Sequence, residues 1–367
     1  MLRTLRTIYC ATRIAVAFLV LATTTAFAAT LSTDPANVSV PAIERLSEVV
    51  AFAERDDVPD APPVVSASER TALADADDEL WYISSRAARH APDGTIRLHY
   101  WQYDDAGNWQ TRTREQFLAA DPALPLCFHV HGNRVTNSQA NLGGWRYFTT
   151  FTSGCQERPP LRFVIFSWPS ERLCSGRNSD DLRTKAVRAE CHAFYFAWLV
   201  DQLPAETRIG MVGFSYGARL IGGALHLLGG GSVRGQRLLE RENPEPRAVR
   251  AIFLAGALDD DHFMPGRCFH LAPTQLEQLL VARNCCDRAR RWYPLLYGFM
   301  LRPKNGQQAM GYSGIVGVNY SPLLAGRVEQ RDVSALVGKS HEWHACEFLA
   351  GSFLERMRQY VYFEPLK

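Results

Sequence analysis

The sequence has no surplus of positive charge outside its first segment. It contains 40 lysines and arginines against 38 aspartates and glutamates, and Arg3, Arg6 and Arg13 lie within the first 28 residues. The remainder has one more acidic than basic residue, and it lacks the clustered basic surface that nucleic-acid binding requires. We therefore expect no nucleic-acid partner.

The sequence also has no apolar run near its N-terminus that would span a bilayer comfortably. Residues 14–22 are apolar, but a membrane helix needs roughly 20 such residues. Arginines precede this run, and Ala26-Phe27-Ala28 offers the small residues of a signal-peptidase site. We predict that residues 1–28 are a signal peptide cleaved after Ala28, and that the protein is secreted or periplasmic with no membrane span after cleavage. The alternative is an uncleaved anchor.

The sequence does not lack cysteine: it has nine cysteines, and eight of them remain after loss of the signal peptide. Disulfides can form in an exported protein. Cys268, Cys285 and Cys286 are expected near the C-terminal edge of a sheet, and we predict that Cys268 pairs with Cys285 or Cys286. Cys127 and Cys191 fall within strand and helix patterns and are predicted to be small buried side chains.

Residues 29–78 are rich in alanine, proline and acids, which predicts a linker. From residue 79 to residue 367, strand-like and helix-like segments alternate without an internal repeat. This alternation is typical of an α/β domain, in which a mostly parallel central sheet has helices on both faces. The predicted strands span residues 80–84, 96–103, 126–131, 162–168, 208–212, 249–256, 278–282 and 327–333.

One short motif carries chemistry: Gly213-Phe214-Ser215-Tyr216-Gly217. It follows an apolar run, residues 209–212, and opens a helix-like run, residues 218–225. A strand, a Gly-x-Ser-x-Gly turn and a helix together form the nucleophile elbow of an α/β-hydrolase. The turn is tight, so small residues must flank the serine. We predict that Ser215 is a nucleophile.

A serine hydroxyl needs a histidine to accept its proton and a carboxylate to orient that histidine. In α/β-hydrolases these residues occur in the chain order serine, acid, histidine. His341 lies on a predicted loop after the last strand, and we predict that it is the base. Asp287 follows the seventh predicted strand and is the predicted acid, whereas Asp259, Asp260 and Asp261 follow the strand before and are the alternative.

An oxyanion hole needs two backbone N–H donors. We predict that Tyr216 supplies one and that Asn133 or Arg134, after an earlier strand, supplies the other. A competing interpretation is a metal site at His129 and His131, whose side chains share a face of a regular strand. That interpretation lacks a third and a fourth ligand.

Five segments, taken in this order, resemble a bacterial α/β-hydrolase family of uncharacterised function. They are His131-Gly132-Asn133, Phe166-Ser167-Trp168-Pro169-Ser170, the elbow around Ser215, Asp287, and Ser340-His341. In that family, a Phe-Ser-Trp-Pro-Ser strand end precedes the nucleophile helix. The resemblance covers about residues 79–360, and it implies the hydrolase fold and a triad without implying a substrate.

The segment between the predicted acid and base predicts a small cap at about residues 288–325, lining an apolar substrate site. The alternative is that its large side chains belong to the core. These side chains are Trp292, Tyr293, Tyr297, Phe299, Met300, Met310, Tyr312 and Tyr320.

The expected activity is carboxylic-ester hydrolysis by an exported serine hydrolase, through an acyl-enzyme. The expected partner is a small-molecule or lipid-like ester, and the mechanism needs no metal or other cofactor. One alternative is a binding protein that keeps the fold without turnover. Another is a metal-dependent hydrolase that uses His129 and His131.

Overall fold

A computed structural model describes residues 62, 77–90, 96–153, 158–173, 178–238, 249–291, 293, 308–341 and 351–366. The predicted signal peptide and nearly all of the predicted linker lie outside these residues. So do part of the predicted cap, residues 294–307, and the cysteines at positions 10, 155, 174 and 346.

Nine strands form a single sheet in the described part of the chain, in the order β3-β2-β1-β5-β4-β6-β7-β8-β9. Strand β2 is antiparallel to β1 and β3, whereas the pairs from β1 to β9 across the rest of the sheet are parallel. The strands are β1 Glu79–His90, β2 Ile96–Tyr103, β3 Trp109–Arg112, β4 Leu126–Val130, β5 Arg162–Ser167, β6 Ile209–Phe214, β7 Val249–Leu254, β8 Leu276–Arg283 and β9 Val328–Asp332.

Helices follow the parallel strands, as crossover connections require. The described α-helices are α1 Arg114–Leu118, α2 Asn137–Thr152, α3 Asn178–Asp201, α4 Tyr216–Leu228, α5 Arg288–Arg291, α6 Met310–Ser313, α7 Ser334–Val337 and α8 Gly351–Val361. Helix α2 begins at a capping box, in which Thr136 and Gln139 satisfy each other's backbone N–H groups.

The two faces of the sheet carry separate cores, because side chains alternate along each strand. Along β5, Val164 and Phe166 pack with residues of α3 and α4, whereas Phe163 and Ile165 pack with residues of α2 and α8. Every residue of β5 is buried. This arrangement confirms the predicted α/β class, with helices on both faces of a mostly parallel sheet.

The central strands end in register at one edge of the sheet. Val130 of β4 pairs with Gly213 of β6, and Gly213 pairs with Phe253 of β7. Leu254 in turn pairs with Ala282 of β8. The loops that follow β4, β6, β7 and β8 therefore meet at this edge, where ligands bind in open α/β sheets.

The predicted strands are all present, and the structure adds β3, which the sequence pattern does not predict. Its sequence, Trp-Gln-Thr-Arg, is short and polar, and no residue in it is fully buried. An edge strand needs no apolar alternation, so its sequence carries a weak signal. Cys127 is buried as predicted, whereas Cys191 is only half-buried.

The predicted disulfide between Cys268 and Cys285 or Cys286 is absent from this structure. Among the described cysteines, these three are free and exposed. The Sγ of Cys285 lies 3.3 Å from the Oγ of Ser334, whereas the thiol of Cys268 lies beside His262. The thiols therefore have different neighbours, although their strands end at the same edge.

Across the residues that the structure describes, no helix combines the length and apolar character needed to cross a bilayer.

Candidate active site

Ser215 lies on a strained turn between β6 and α4. Its φ of 57° and ψ of -113° are unusual for a residue with a side chain, and such strain costs about 1–3 kcal/mol. Two hydrogen bonds hold the turn: Ser215 N–H donates to the Leu254 carbonyl, and Ala257 N–H donates to the Ser215 carbonyl, both at 2.9 Å. The strain is thus supported by the neighbouring strand β7.

The two flanking glycines are required because backbone approaches them closely. A Cβ at Gly213 would lie 2.7 Å from the amide nitrogen of Ala218. A Cβ at Gly217 would overlap the carbonyl oxygen of Val130 at the end of β4. The Gly-x-Ser-x-Gly pattern therefore reflects the close packing of β4, the turn and α4.

Asp287 and His341 come together across the ends of β8 and β9. The Nδ1 of His341 lies 2.6 Å from the Oδ2 of Asp287. The other oxygen of Asp287 accepts the N–H of Ala289 at 2.8 Å, and Asp287 is fully buried. The ring of Phe214 packs on the imidazole, with 5.5 Å between ring centroids. His341 is thus oriented by a buried carboxylate and an aromatic ring.

The three alternative acids, Asp259, Asp260 and Asp261, form hydrogen bonds or ion pairs with residues other than His341. Asp259 accepts from Tyr293 OH at 2.6 Å and lies 3.0 Å from Nε2 of His262. The Oγ of Ser313 donates to Asp260 at 3.0 Å. Asp261 forms an ion pair with Arg267 at 2.9 Å. The structure therefore brings Asp287, and none of these three, to His341.

The backbone beside Ser215 comes from the loop after β4. A Cβ at Gly132 would lie 3.1 Å from the Cβ of Ser215, so the two segments are in direct contact. Asn133 follows and lines the same cavity as Ser215. Tyr216 is the first residue of α4, where an N–H has no acceptor within its own helix.

Arg134, the alternative second donor, has its N–H engaged elsewhere. Its N–H donates to the carbonyl of Ser170 at 2.7 Å, so that hydrogen is already engaged. Asn133 remains the candidate donor from this loop.

The Trp168-Pro169-Ser170 segment after β5 supports that loop. The indole N–H of Trp168 donates to the carbonyl of His131 at 2.9 Å. The two rings are stacked, with an interplanar angle of 7°. Ser170 also accepts the N–H of Val135 through its Oγ, at 3.2 Å. Two motifs that are distant in sequence thus form one structural unit beside Ser215.

The side chains of His129 and His131 are buried and contact other residues of the protein. The Nε2 of His131 accepts the Trp168 N–H at 3.2 Å, and its Nδ1 lies 3.0 Å from the Gly132 carbonyl. Burial and the charge of Arg86 lower the pKa of His131 well below its usual value, so the ring is neutral. His129 stacks on Tyr147 at 4.3 Å. Within the described ranges, no group of three or more potential metal ligands gathers.

A cavity of about 810 Å³ contains both Ser215 and His341, which is within the size range of small-molecule sites. Its lining residues are His129, His131, Gly132, Asn133, Arg134, Val135, Gln139, Leu142, Gly143, Arg146, Tyr147, Asn178, Leu182, Phe214, Ser215, Tyr216, Ala289, Tyr293 and His341.

Among the described large side chains of the predicted cap, residues 288–325, one lies at the cavity and others lie in the core or at the surface. Tyr293 is buried and lines the cavity, whereas Met310 lies in the core. Tyr320 is 89% exposed. The described residues therefore place one of the predicted cap side chains at the site.

Sequence reasoning missed Arg219, one turn into α4. It donates to Tyr293 OH at 2.7 Å, to Glu190 at 2.6 Å and to the Ala257 carbonyl at 2.8 Å. Arg219 is buried and connects α3, α4 and the loop after β7. The sequence does contain a hint of this role: Arg219 is a charged residue in a mostly apolar helix, just after the nucleophile elbow.

Comparison with protein-family models and with curated proteins finds no match for this chain.

Proposed function

We propose that this protein is an exported serine hydrolase of the α/β-hydrolase fold, and that it cleaves carboxylic esters through an acyl-enzyme. One observation carries the proposal: a histidine bonded to a buried aspartate lines the same cavity as a serine on a strained strand-to-helix turn. The chain order serine, aspartate, histidine supports the fold assignment. So does the sheet, whose parallel strands bring these three loops to one edge.

In the proposed acylation step, Ser215 Oγ attacks the ester carbonyl carbon, and His341 Nε2 accepts the hydroxyl proton. Nδ1 of His341 is bonded to Asp287, which fixes Nε2 as the catalytic nitrogen and stabilises the imidazolium. The tetrahedral intermediate places its negative oxygen toward the N–H groups of Tyr216 and Asn133. Collapse breaks the carbon–oxygen bond, and His341 returns the proton to the departing alcohol.

In the proposed deacylation step, water attacks the acyl-enzyme carbonyl, and His341 accepts a proton from it. The second tetrahedral intermediate uses the same two backbone donors. Its collapse releases the carboxylic acid and returns the proton to Ser215. Ester and water are consumed, and acid and alcohol are formed, with no change in oxidation state.

Labelling with a fluorophosphonate, followed by intact-mass analysis and peptide mapping, tests the proposal. We expect one adduct on Ser215, loss of the adduct in Ser215→Ala, and strong slowing in His341→Ala. His270→Ala is the matched control, because His270 does not line the cavity.

An unlabelled Ser215 in folded protein would overturn the proposal. Ligand retention by Ser215→Ala without turnover in the wild type would then favour the binding-protein alternative. Hydrolysis that is stopped by a chelator and unaffected by the fluorophosphonate would favour the metal-dependent alternative.

A further inference from the structure

One face of α2 lines the cavity. The helix contributes Gln139, Leu142, Gly143, Arg146 and Tyr147 to the lining. These residues recur at intervals of three and four positions along the helix. That spacing places side chains on one side of a helix. Arg146 is therefore directed to the cavity by its position on α2.

The Arg146 guanidinium has no hydrogen bond or ion pair with any residue that the structure describes. The hydroxyls of Thr149 and Thr150 donate to the backbone carbonyl of this residue and do not involve the guanidinium. Arg134, the other arginine of the lining, differs: it pairs with Asp181 at 3.1 Å and donates to Asn178 at 3.2 Å. Among the described residues, Arg146 is thus the cation of this cavity without a carboxylate partner.

No aspartate or glutamate is among the described residues that line the cavity. The carboxylate of Asp287 is fully buried behind His341. A cleft lined by charge of one sign focuses its field on a ligand of the opposite sign. The lining also includes apolar side chains, among them Val135, Leu142 and Phe214, which suit an uncharged chain that leads to a charged end.

Gly143 keeps space open on the same helix face. A Cβ at this position would meet nothing within 4 Å. Glycine inside a helix costs about 1 kcal/mol relative to alanine, and no neighbour at this position requires it. The open space therefore adjoins Arg146 without being needed for packing.

We propose that the substrates are esters that carry an anionic group, and that Arg146 binds this group. The inference rests on the proposed serine hydrolase activity. A guanidinium binds a carboxylate through two parallel hydrogen bonds, so it distinguishes an anionic chain end from a methyl end of the same length.

Two series of p-nitrophenyl esters test this inference: monoesters of linear dicarboxylic acids, and alkanoates of equal chain length. The measured quantity is the ratio of kcat/KM for the anionic ester to that for the neutral one. We expect the ratio to favour the anionic ester at one or two chain lengths. Arg146→Gln should then lower it by roughly 10- to 100-fold, and Arg146→Lys should lower it less.

Arg97→Gln is the matched control. Arg97 is exposed on β2 and does not line the cavity, so the ratio should stay at the wild-type value. Gly143→Leu adds a second variant, which should lower kcat/KM for the longer esters by filling the open space.

The possible outcomes separate this inference from the function on which it rests. If Ser215 is labelled by a fluorophosphonate but the ratio is the same in wild type, Arg146→Gln and Arg97→Gln, the inference is overturned and the hydrolase remains. If Ser215 is not labelled and neither ester series is cleaved, both are overturned. A ratio that falls only in the Arg146 variants supports the inference.

Discussion

Two aspartate–histidine pairs lie at the ends of neighbouring strands, and they are arranged in opposite ways. In the Asp287–His341 pair, Nδ1 of the histidine is 2.6 Å from the carboxylate, which is 0% exposed, while the histidine side chain is 28% exposed. In the Asp259–His262 pair, Nε2 is 3.0 Å from the carboxylate, which is 26% exposed, while the histidine side chain is 6% exposed.

The surroundings of the two pairs also differ. His341 opens on the cavity that contains Ser215. Asp259 instead accepts from Tyr293 and lies 3.8 Å from Arg219, and His262 packs edge-on against Phe269. The first pair presents an imidazole to a ligand-sized space, whereas the second uses its imidazole and carboxylate to tie the loop after β7 to α4.

The comparison shows that a hydrogen-bonded aspartate and histidine do not by themselves identify a catalytic base. What distinguishes the two pairs is which of the two side chains, the imidazole or the carboxylate, is the more exposed. An accessible imidazole with a buried carboxylate can exchange protons with a substrate, whereas a buried imidazole serves as a structural cation. Burial disfavours charge on His262, but the hydrogen bond and charge of Asp259 and the contact with Cys268 outweigh it and raise the pKa of His262 to about 9.

The largest expected difference between the pairs is in catalysis. Asp287→Asn should lower kcat for ester hydrolysis by about 10⁴-fold, because the amide favours the wrong tautomer of His341. Asp259→Asn should retain most of kcat while lowering the free energy of unfolding by roughly 3 kcal/mol, because the buried Arg219 and His262 side chains lose a partly buried counter-charge. Steady-state kinetics and urea unfolding of both variants measure this. Equal losses of kcat would remove the distinction.

The pH dependence of stability gives the next largest difference. His262 has a folded pKa of about 9, above its unfolded value of about 6.5. Its stabilisation is therefore fully present below pH 6.5 and is lost as the pH rises through about 9. We expect a loss of up to about 3 kcal/mol over this range in wild type, and a much smaller loss in Asp259→Asn. Urea unfolding at several pH values measures both, and parallel profiles would contradict the assignment.

In the buried His226 and the half-buried His192, the pKa shift has the opposite sign to that of His262, which provides an internal contrast. Burial, with the nearby charges of Arg188 and Arg86, lowers the pKa of His192 to about 3. Burial and His270 lower that of His226 to about 4. Their contributions are present above pH 6.5 and are lost as the pH falls toward these values. Asp259→Asn should therefore keep the loss of stability between pH 6.5 and about 4, above the range in which the Asp259 carboxylate itself titrates.

The smallest expected difference is in thiol chemistry beside the second pair. The hydrogen bond with His262 lowers the pKa of Cys268, whereas desolvation and the neighbouring Cys285 raise that of Cys286. Iodoacetamide at neutral pH should alkylate Cys268 roughly tenfold faster than Cys286, because the thiolate is the nucleophile. Peptide mapping over time gives both rates, and His262→Gln should bring them together. Equal rates in the wild type would show that His262 does not activate the thiol.

Part of the site could be predicted because its residues follow from chain order and local geometry. The strand before Ser215, the flanking glycines and the helix after it are contiguous in sequence, so the strained turn leaves a local pattern. His341 and Asp287 follow the last two predicted strands, and this position in the chain order made them the candidates for base and acid. The mostly parallel sheet was predictable for a similar reason, because strands buried on both faces are continuously apolar.

Other features involve residues that are distant in sequence, and local patterns do not contain them. Chain order makes Arg134 a candidate oxyanion donor, but in the folded structure its N–H donates to the Ser170 carbonyl. The disulfide prediction placed Cys268 and Cys285 at one edge of the sheet, but position along that edge depends on loop paths. The bonds of Asp259 to Tyr293 and His262 likewise depend on how the loop after β7 folds over α4.

The sequence by itself determined the α/β class, the strand-turn-helix at Ser215 and the candidates for acid and base, because each depends on short-range periodicity, on glycine at a tight turn, or on chain order. Only the tertiary structure decided which aspartate meets His341, which N–H groups are already engaged, and which arginine of the cavity has no counter-charge among the described residues. Those outcomes depend on the burial and pairing of polar groups, and the free energy of a polar group is set by the neighbours that surround it after folding.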